Sequence, residues 1–436
     1  MQQLRVAVAV SGGRDSTALL HCTLQQARPL GLQVLALHVH HGLMPQADEW
    51  QQQVQRQSRR WGASFDSRRL QGAPGKGDSI EAWAREGRYR ALTEMAQAHE
   101  CSLVLLAHHQ LDQAETYLLQ ALRGAGVAGQ AAMPAQRLRQ GIQWARPWLN
   151  MGVQAIEAYV RRHRLRFVDD PSNNDPTFLR SRLRQQVWPT LLTGFPDADT
   201  TLAAAARHAQ DALALAQEAA EADLSVLQQG EGLLCPAWLQ LPSARRLNAL
   251  RAWLTATGGS PPPQSLLDRL LHQLPGATQG SWPVPGGKLR LYRGVLLRLG
   301  AEVDAPAGSP LHLDLSRPGR VPVLEWRGHW QVQPSRSLGI RADDLRQLVA
   351  RARHGGELFS LRPGAPARSL KKQFQASGVP AWQRHGPLLT THDDRLMLVP
   401  GLGPEAAFQA PPGSPQLRVD WVPDAPVPTG RRQRAR

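Results

Sequence analysis

Cysteine is scarce in this 436-residue chain: Cys22, Cys101 and Cys235 stand far apart and no C-x-x-C occurs. That excludes a disulfide framework, a zinc knuckle and a dithiol redox motif, and it suits a reducing cytoplasm. Long apolar runs are missing too, so no membrane span or membrane partner is expected. The first apolar run is short, carries Arg5 and ends at glycines, so it is not a signal peptide. Lysine is almost absent: Lys76, Lys288, Lys371 and Lys372 are the only ones. Arginine therefore carries nearly all of a formal charge of +16. A GC-rich genome inflates arginine, yet the excess of base over acid still favours a polyanionic partner, nucleic acid before a membrane surface.

What is present begins at Leu4. An apolar run to Val10 reads as a buried strand, and Thr17 to Leu20 as the start of a helix. Between them lies Ser11-Gly12-Gly13-Arg14-Asp15-Ser16. Glycines and hydroxyls before a helix N-terminus make a phosphate cradle, because backbone N–H groups and the helix dipole favour negative charge. The Gly-Lys-Ser/Thr ending of the common nucleoside triphosphatase loop is absent. Asp15 would repel phosphate unless a cation lay between them, which implies Mg²⁺.

Strand-like and helix-like segments alternate to about residue 185: Val34–Val39, a helix through 48–60, a strand near 64–70, a helix over 79–98, a strand at 103–107 and a helix through 112–122. That alternation predicts a doubly wound parallel sheet with helices on both faces. Beyond Pro196 the chain turns Ala-rich and helical, with a hairpin over 288–299 around Arg293-Gly294. A Gly/Pro-rich linker at 300–310 then leads to a small α+β unit. The expected domains are 1–190, a helical 196–300 and a C-terminal 311–409. A tail from 410 ending in an arginine cluster is expected to be disordered. The helical middle offers a face for a homodimer.

Ligands in such sheets bind beyond the carboxyl ends of the strands. Four polar clusters fall at such ends: the Ser11–Ser16 loop, His38-Val39-His40-His41-Gly42, His108-His109 with Asp112 and Glu115, and Asp169-Asp170-Pro171-Ser172-Asn173. His38 and His40 share one strand face but lack a further fixed ligand for zinc, so a structural or adenine-contacting role is read there. Asp112 and Glu115 lie three apart on one helix face, fit to hold Mg²⁺ or orient a nucleophile.

These motifs resemble those of the tRNA(Ile)-lysidine synthetases, within the N-type ATP pyrophosphatases. The resemblance rests on the Ser11–Ser16 loop, His38 to Gly42, the Ile80-Glu81-Ala82-Trp83-Ala84-Arg85 stretch with Arg88-Tyr89, Ala107 to Thr116, Arg146-Pro147, Asp170 to Asn173, and Arg180, Arg182 and Arg184. A second match runs from Leu370-Lys371-Lys372-Gln373-Phe374 to Gly378-Val379-Pro380-Ala381-Trp382. Leu111 stands where the family usually has a second aspartate, and Ser181 where asparagine is common.

The resemblance implies ATP-dependent adenylation of the wobble cytidine in a CAU-anticodon tRNA(Ile), then attack by free lysine to give lysidine. It implies that Ser11, Gly12, Gly13, Arg14, Asp15 and Ser16 hold pyrophosphate and that Asp15 and Asp112 hold Mg²⁺. It implies that His40, Arg85, Arg88, His108, Asp112 and Glu115 contact nucleotide or act in catalysis, with His40 or His108 handling a proton. It assigns tRNA phosphate to Arg180, Arg184, Lys371 and Lys372, the lysine helix being capped by Ser369 and closed by Gly378, with Trp382 packing the turn. Another tRNA-modifying pyrophosphatase of the class, or a non-catalytic tRNA-binding relative, remains the alternative.

Overall fold

The computed structural model describes residues 4–42, 46–72, 75, 80–169, 175, 177, 179–300, 310–384, 386–411 and 413–424. The chain forms two compact units, 1–218 and 219–436.

The first unit is built on β1 (Arg5–Ala9), α1 (Arg14–Ala27), β2 (Gln33–His40), α2 (Ala47–Trp61), β3 (Ser64–Arg69), α3 (Ile80–Ala98), β4 (Leu103–Leu105) and α4 (Gln110–Leu122). The short α5 (Val127–Gln130), the hairpin β5 (Gln136–Arg139) and β6 (Ile142–Ala145), and α6 (Val153–Arg162) follow. Next come α7 (Leu179–Arg182), a π-helical turn at Leu183–Val187, α8 (Trp188–Gly194) and the long α9 (Ala198–Leu227). The sheet order is β3-β2-β1-β4-β6-β5. All neighbours pair parallel except the β5 edge.

Alternation along the central strands explains the layering. Val6, Val8 and Val10 pack with Leu19, Leu20, Val54, Ile156 and Val160, which puts α1, α2 and α6 on one face. Ala7, Leu35, Leu37 and Val39 pack with Leu92, Met95 and Trp144, which puts α3 on the other. The expected doubly wound sheet is what forms. The strand order reverses between β1 and β4, so the crevice at their carboxyl ends is the topological switch point. The sequence reading did not include β5 and β6. Their turn uses Gln140 and Gly141, both left-handed, and β6 carries Arg146 to the same edge. No strand precedes Asp169; Phe167 and Val168 are irregular.

In the second unit, strands Gln228–Gln229, Gly232–Leu234, Gly280–Val284, Gly287–Tyr292 and Val295–Gly300 form one antiparallel sheet. It packs on helices Ser243–Gly258 and Gln264–Gln273 through Trp238, Trp253, Leu267 and Leu289. The hairpin turns on left-handed Arg293 and Gly294, as its sequence predicts. A five-stranded and a three-stranded sheet build the C-terminal part around Trp330, Val332, Leu348 and Leu389. Its last strand, Gln416–Pro423, pairs along its whole length with Gly328–Ser335 and buries Leu417 and Val419. The ordered part therefore runs past residue 410, which corrects the expected start of a disordered tail. The alternation Leu417, Val419, Trp421 was the missed strand signal. The arginine-rich end from 425 and the linker at 301–309 lie outside the described residues.

Candidate active site

The loop after β1 is a preformed cradle. Gly12 adopts a φ of +98°, and a Cβ there would meet Val54 Cγ2 at 3.1 Å, so only glycine fits without strain. Gly13 N–H donates to Ser11 Oγ at 3.3 Å, and Ser11 N–H to Ser16 Oγ at 3.2 Å. Ser16 Oγ–H donates to Gly13 O at 3.0 Å and Thr17 Oγ1–H to Gly12 O at 3.1 Å. Gly13 is the N-cap, and Thr17 N–H closes the first helical bond onto its carbonyl at 3.0 Å. The N–H groups of the first turn ahead of it therefore have no helical acceptor and suit an anion. Val168 N–H donates to Gly12 O at 2.9 Å, which lays the chain before the fourth cluster against the loop. Residues 170–174 of that cluster lie outside the described residues.

Across the switch point, His109 opens α4. Its N–H donates to Asp112 Oδ2 at 3.1 Å. Its buried Nε2 stands 3.5 Å from Asp15 Oδ2 and 3.5 Å from Asp112 Oδ2. One imidazole thus bridges the carboxylates of β1's loop and of α4. Burial opposes ionisation of Asp15, but hydrogen bonds from His109 and Arg14 outweigh it and hold its pKa below the ordinary value. Burial likewise opposes charge on His109, yet Asp15 and Asp112 raise its pKa. His109 therefore sits between two carboxylates that favour its protonated form. Sequence reading quoted it without naming it as a site residue; its signal was its place at the N-cap facing a loop aspartate.

His108 goes the other way. Burial pushes its pKa well down, Asp112 opposes this, and Arg146, Arg88 and Arg180 push the same way. It is neutral near pH 7. Nδ1 of His108 and Nδ1 of His109 are both buried without a hydrogen-bond partner among the described residues, which leaves polar atoms for a ligand. Arg146 is buried too: its Nη1 donates to Pro134 O at 2.8 Å and its Nη2 to Tyr89 Oη at 3.3 Å. It had been noted only as part of a motif.

Asp112 and Glu115 do share one face of α4, as their spacing predicts. Glu115 is completely buried. Arg184 Nε donates to Glu115 Oε1 at 2.5 Å, while its Nη2 reaches Glu115 Oε2 at 3.0 Å and Asp112 Oδ1 at 2.9 Å. Arg180 adds Nε to Glu115 Oε2 at 3.2 Å and Nη2 to Thr116 Oγ1 at 2.7 Å. Arg180 and Arg184, read from sequence as tRNA contacts, are thus engaged by the α4 carboxylates. The π-helical turn that carries Arg184 sits where such turns often mark function.

Other expected residues fall further off. His38 Nδ1 bonds Val10 O at 2.8 Å and burial lowers its pKa, so it is a neutral core link between β2 and β1. His40 is buried; it accepts Gly42 N–H on Nδ1 at 3.0 Å, and its Nε2 lies 3.1 Å from Asp48 Oδ1. It fastens the β2–α2 connection, and no contact joins it to Asp15 or Asp112 among the described residues. Arg85 is exposed and stacks over Tyr89 at 5.5 Å. Arg88 is exposed beside it, within the electrostatic reach of Arg180.

In the second unit Lys371 and Lys372 are exposed on Leu370–Ala376, whose Leu370 and Phe374 face the core. Ser369 occupies the N-cap without a side-chain cap bond, contrary to expectation. Gly378 closes the helix with a φ of +71°. Trp382 packs edge-on against Tyr292 of the hairpin, 5.4 Å between ring centroids.

As a hard-oxygen site, the Asp15–Asp112 pair suits Mg²⁺: Oδ2 of each carboxylate faces the same position beside His109 Nε2, and phosphate oxygens would complete the shell. Among the described residues no group of three or more His, Cys, Asp or Glu side chains forms an all-protein metal cage.

A phosphate loop at the switch point of a doubly wound sheet, facing Arg, His and carboxylate groups, defines a PP-loop nucleotide-binding protein. The family model described as PP-loop domain matches residues 1–191; those described as TilS substrate binding domain and TilS substrate C-terminal domain match 233–297 and 348–421. The chain is 39% identical over 435 residues to the tRNA(Ile)-lysidine synthase of Ralstonia nicotianae, covering 96% of this chain and 92% of that one. It is 37% identical over 432 residues to that of Pseudomonas aeruginosa, covering 95% and 93%. The chain belongs to the tRNA(Ile)-lysidine synthase family.

Proposed function

We propose that this chain activates the wobble cytidine of a CAU-anticodon tRNA(Ile) with ATP and joins lysine to its C2, giving lysidine. The observation that carries the reading is the meeting of the Ser11–Ser16 cradle with His108, His109, Asp112 and the Arg-paired Glu115 at one sheet edge. Cytosine O2 attacks the α-phosphorus and pyrophosphate departs into the cradle. The amine of lysine then attacks C2, a C–N bond forms, AMP leaves, and the amine gives up a proton. The second step makes the protein a carbon–nitrogen ligase.

The residues divide the work by charge. First-turn N–H groups of α1 and the hydroxyls of Ser11 and Ser16 bind pyrophosphate oxygens. His109, whose protonated form Asp15 and Asp112 favour, offers positive charge beside the triphosphate. His108, kept neutral, offers a hydrogen bond to the nucleotide or cytosine. Arg88 and Arg146 add to the positive field that spreads phosphoryl charge needs. Asp15 and Asp112 would hold Mg²⁺, which when bound neutralises phosphate oxygens and polarises the α-phosphorus. Arg180 and Arg184 order α4, while Lys371 and Lys372 contact tRNA phosphate, where affinity rather than sequence is read.

The test is incubation with ATP, lysine and CAU-anticodon tRNA, reading pyrophosphate, AMP and the mass of the wobble nucleoside. Lysine-dependent conversion to lysidine is expected. ATP binding without pyrophosphate release would overturn the assignment. Asp15→Ala is expected to abolish adenylation while tRNA binding persists.

A further inference from the structure

Arg14 is the one long cationic side chain of the loop, and both its Nε and its Nη1 are paired with carboxylates. Its Nε donates to Asp15 Oδ1 at 2.8 Å and its Nη1 to Glu157 Oε1 at 2.6 Å. Glu157 belongs to α6, an element outside every motif, packed on α1 in the same layer. All three side chains are about one-third exposed. A guanidinium beside a lone carboxylate prefers to close on both oxygens with two N–H groups. Here Glu157 holds the opposite nitrogen, Nη1, and with the guanidinium anchored in that orientation Arg14 meets Asp15 through Nε alone. The second oxygen, Oδ2, stays turned to the cation position now facing His109 Nε2 at 3.5 Å.

We propose that Glu157 is a positioning residue that holds Arg14 off Asp15, keeping one Asp15 oxygen open to the divalent cation of the nucleotide. It rests on the reading of Asp15 as a cation ligand. With Glu157 gone, the anchor on Nη1 is lost and Arg14 is free to turn Nε and Nη2 together onto Asp15 and compete with the metal. With Arg14 also gone, Glu157 has nothing left to restrain.

The probe is Mn²⁺, titrated by electron paramagnetic resonance on the full chain with α,β-methylene-ATP, which cannot be cleaved at the reacting bond. Glu157→Gln is expected to weaken Mn²⁺ by about fivefold, the upper range for a partly exposed charge pair. Glu157→Asp, shorter but still anionic, is expected to recover part of the loss. In an Arg14→Gln background Glu157→Gln is expected to change nothing. If Glu157→Gln alone leaves Mn²⁺ affinity unchanged, the proposal fails. If the loss persists without Arg14, Glu157 acts as a plain distant charge and the proposal also fails. If Asp15→Ala binds nucleotide-dependent Mn²⁺ as tightly as the unaltered chain, the underlying ligand reading falls instead. Thermal unfolding of each variant separates these outcomes from loss of fold.

Discussion

Replacing Arg184 by methionine tests how much of the site is held by charge pairing. The change removes two N–H contacts from Glu115 and one from Asp112 while keeping most of the side-chain volume. Glu115 is 0% exposed, so among the described residues it would keep only Arg180, at 3.2 Å. Stripping one partner from a buried ion pair costs about 3–5 kcal/mol. Arg184 is itself 39% exposed and Arg180 stays, so solvent screening and the surviving pair lower this to roughly 2–3 kcal/mol. For a unit of this size each kcal/mol moves melting by about 2–4 °C, so the first unit should melt roughly 5–10 °C lower. Because two units need not unfold together, the assay is calorimetry with resolved transitions. Adding Glu115→Leu removes the stranded charge and should restore much of the loss. A single variant melting within about 1 °C of the parent, or a double variant no better than the single, would refute the reasoning.

Three further outcomes are expected. His109→Gln should destabilise the fold most at low pH: the raised pKa of His109 means its contribution is full below its ordinary 6.5 and fades as pH rises through the folded value. Urea titrations of both proteins from about pH 6 to pH 9 should therefore converge toward the alkaline end; a gap that widens would contradict the bridge. Lys371→Ala with Lys372→Ala should weaken tRNA binding and reduce the slope of log affinity against log salt by about 1.4–1.8. An effect on ATP affinity alone would remove the pair from the tRNA surface. Leu111→Asp should lower stability by about 1–3 kcal/mol, read by urea unfolding, without tightening Mn²⁺ in the presence of α,β-methylene-ATP; tighter Mn²⁺ would place residue 111 in the site.

Much of the site was legible because its signals are local. A strand, two glycines and a helix start fix the Ser11–Ser16 cradle, and a spacing of three fixes the shared face of Asp112 and Glu115. The β–α alternation gave the sheet. What pattern could not give was pairing at long separation. Arg184 lies 72 residues from Asp112 and Glu157 lies 143 from Arg14, and an arginine meant for a carboxylate looks the same in sequence as one meant for phosphate. The opposite pKa shifts of His108 and His109 were hidden for a like reason. Adjacent residues of one type diverge only through burial and neighbours, and burial depends on the tertiary crevice.

Leu111 shows how a motif letter can mislead. Read linearly, leucine where the resemblance leads one to expect aspartate looks like a lost cation ligand. On α4, residues 111, 114 and 118 recur at helical spacing and meet Leu183 and Trp188 in one apolar cluster, whereas Asp112 turns to His109 and Arg184 and Glu115 to Arg180 and Arg184. A side chain at 111 therefore points away from the carboxylates. Its contribution is to pack the segment that carries Arg180 and Arg184, and through them to hold the α4 carboxylates in place. The departure from the family pattern removes no oxygen from the position between Asp15 and Asp112. The demand on Asp15 comes instead from the arginines on α4, since Arg180 and Arg184 engage Glu115 and Arg184 also holds Asp112 Oδ1.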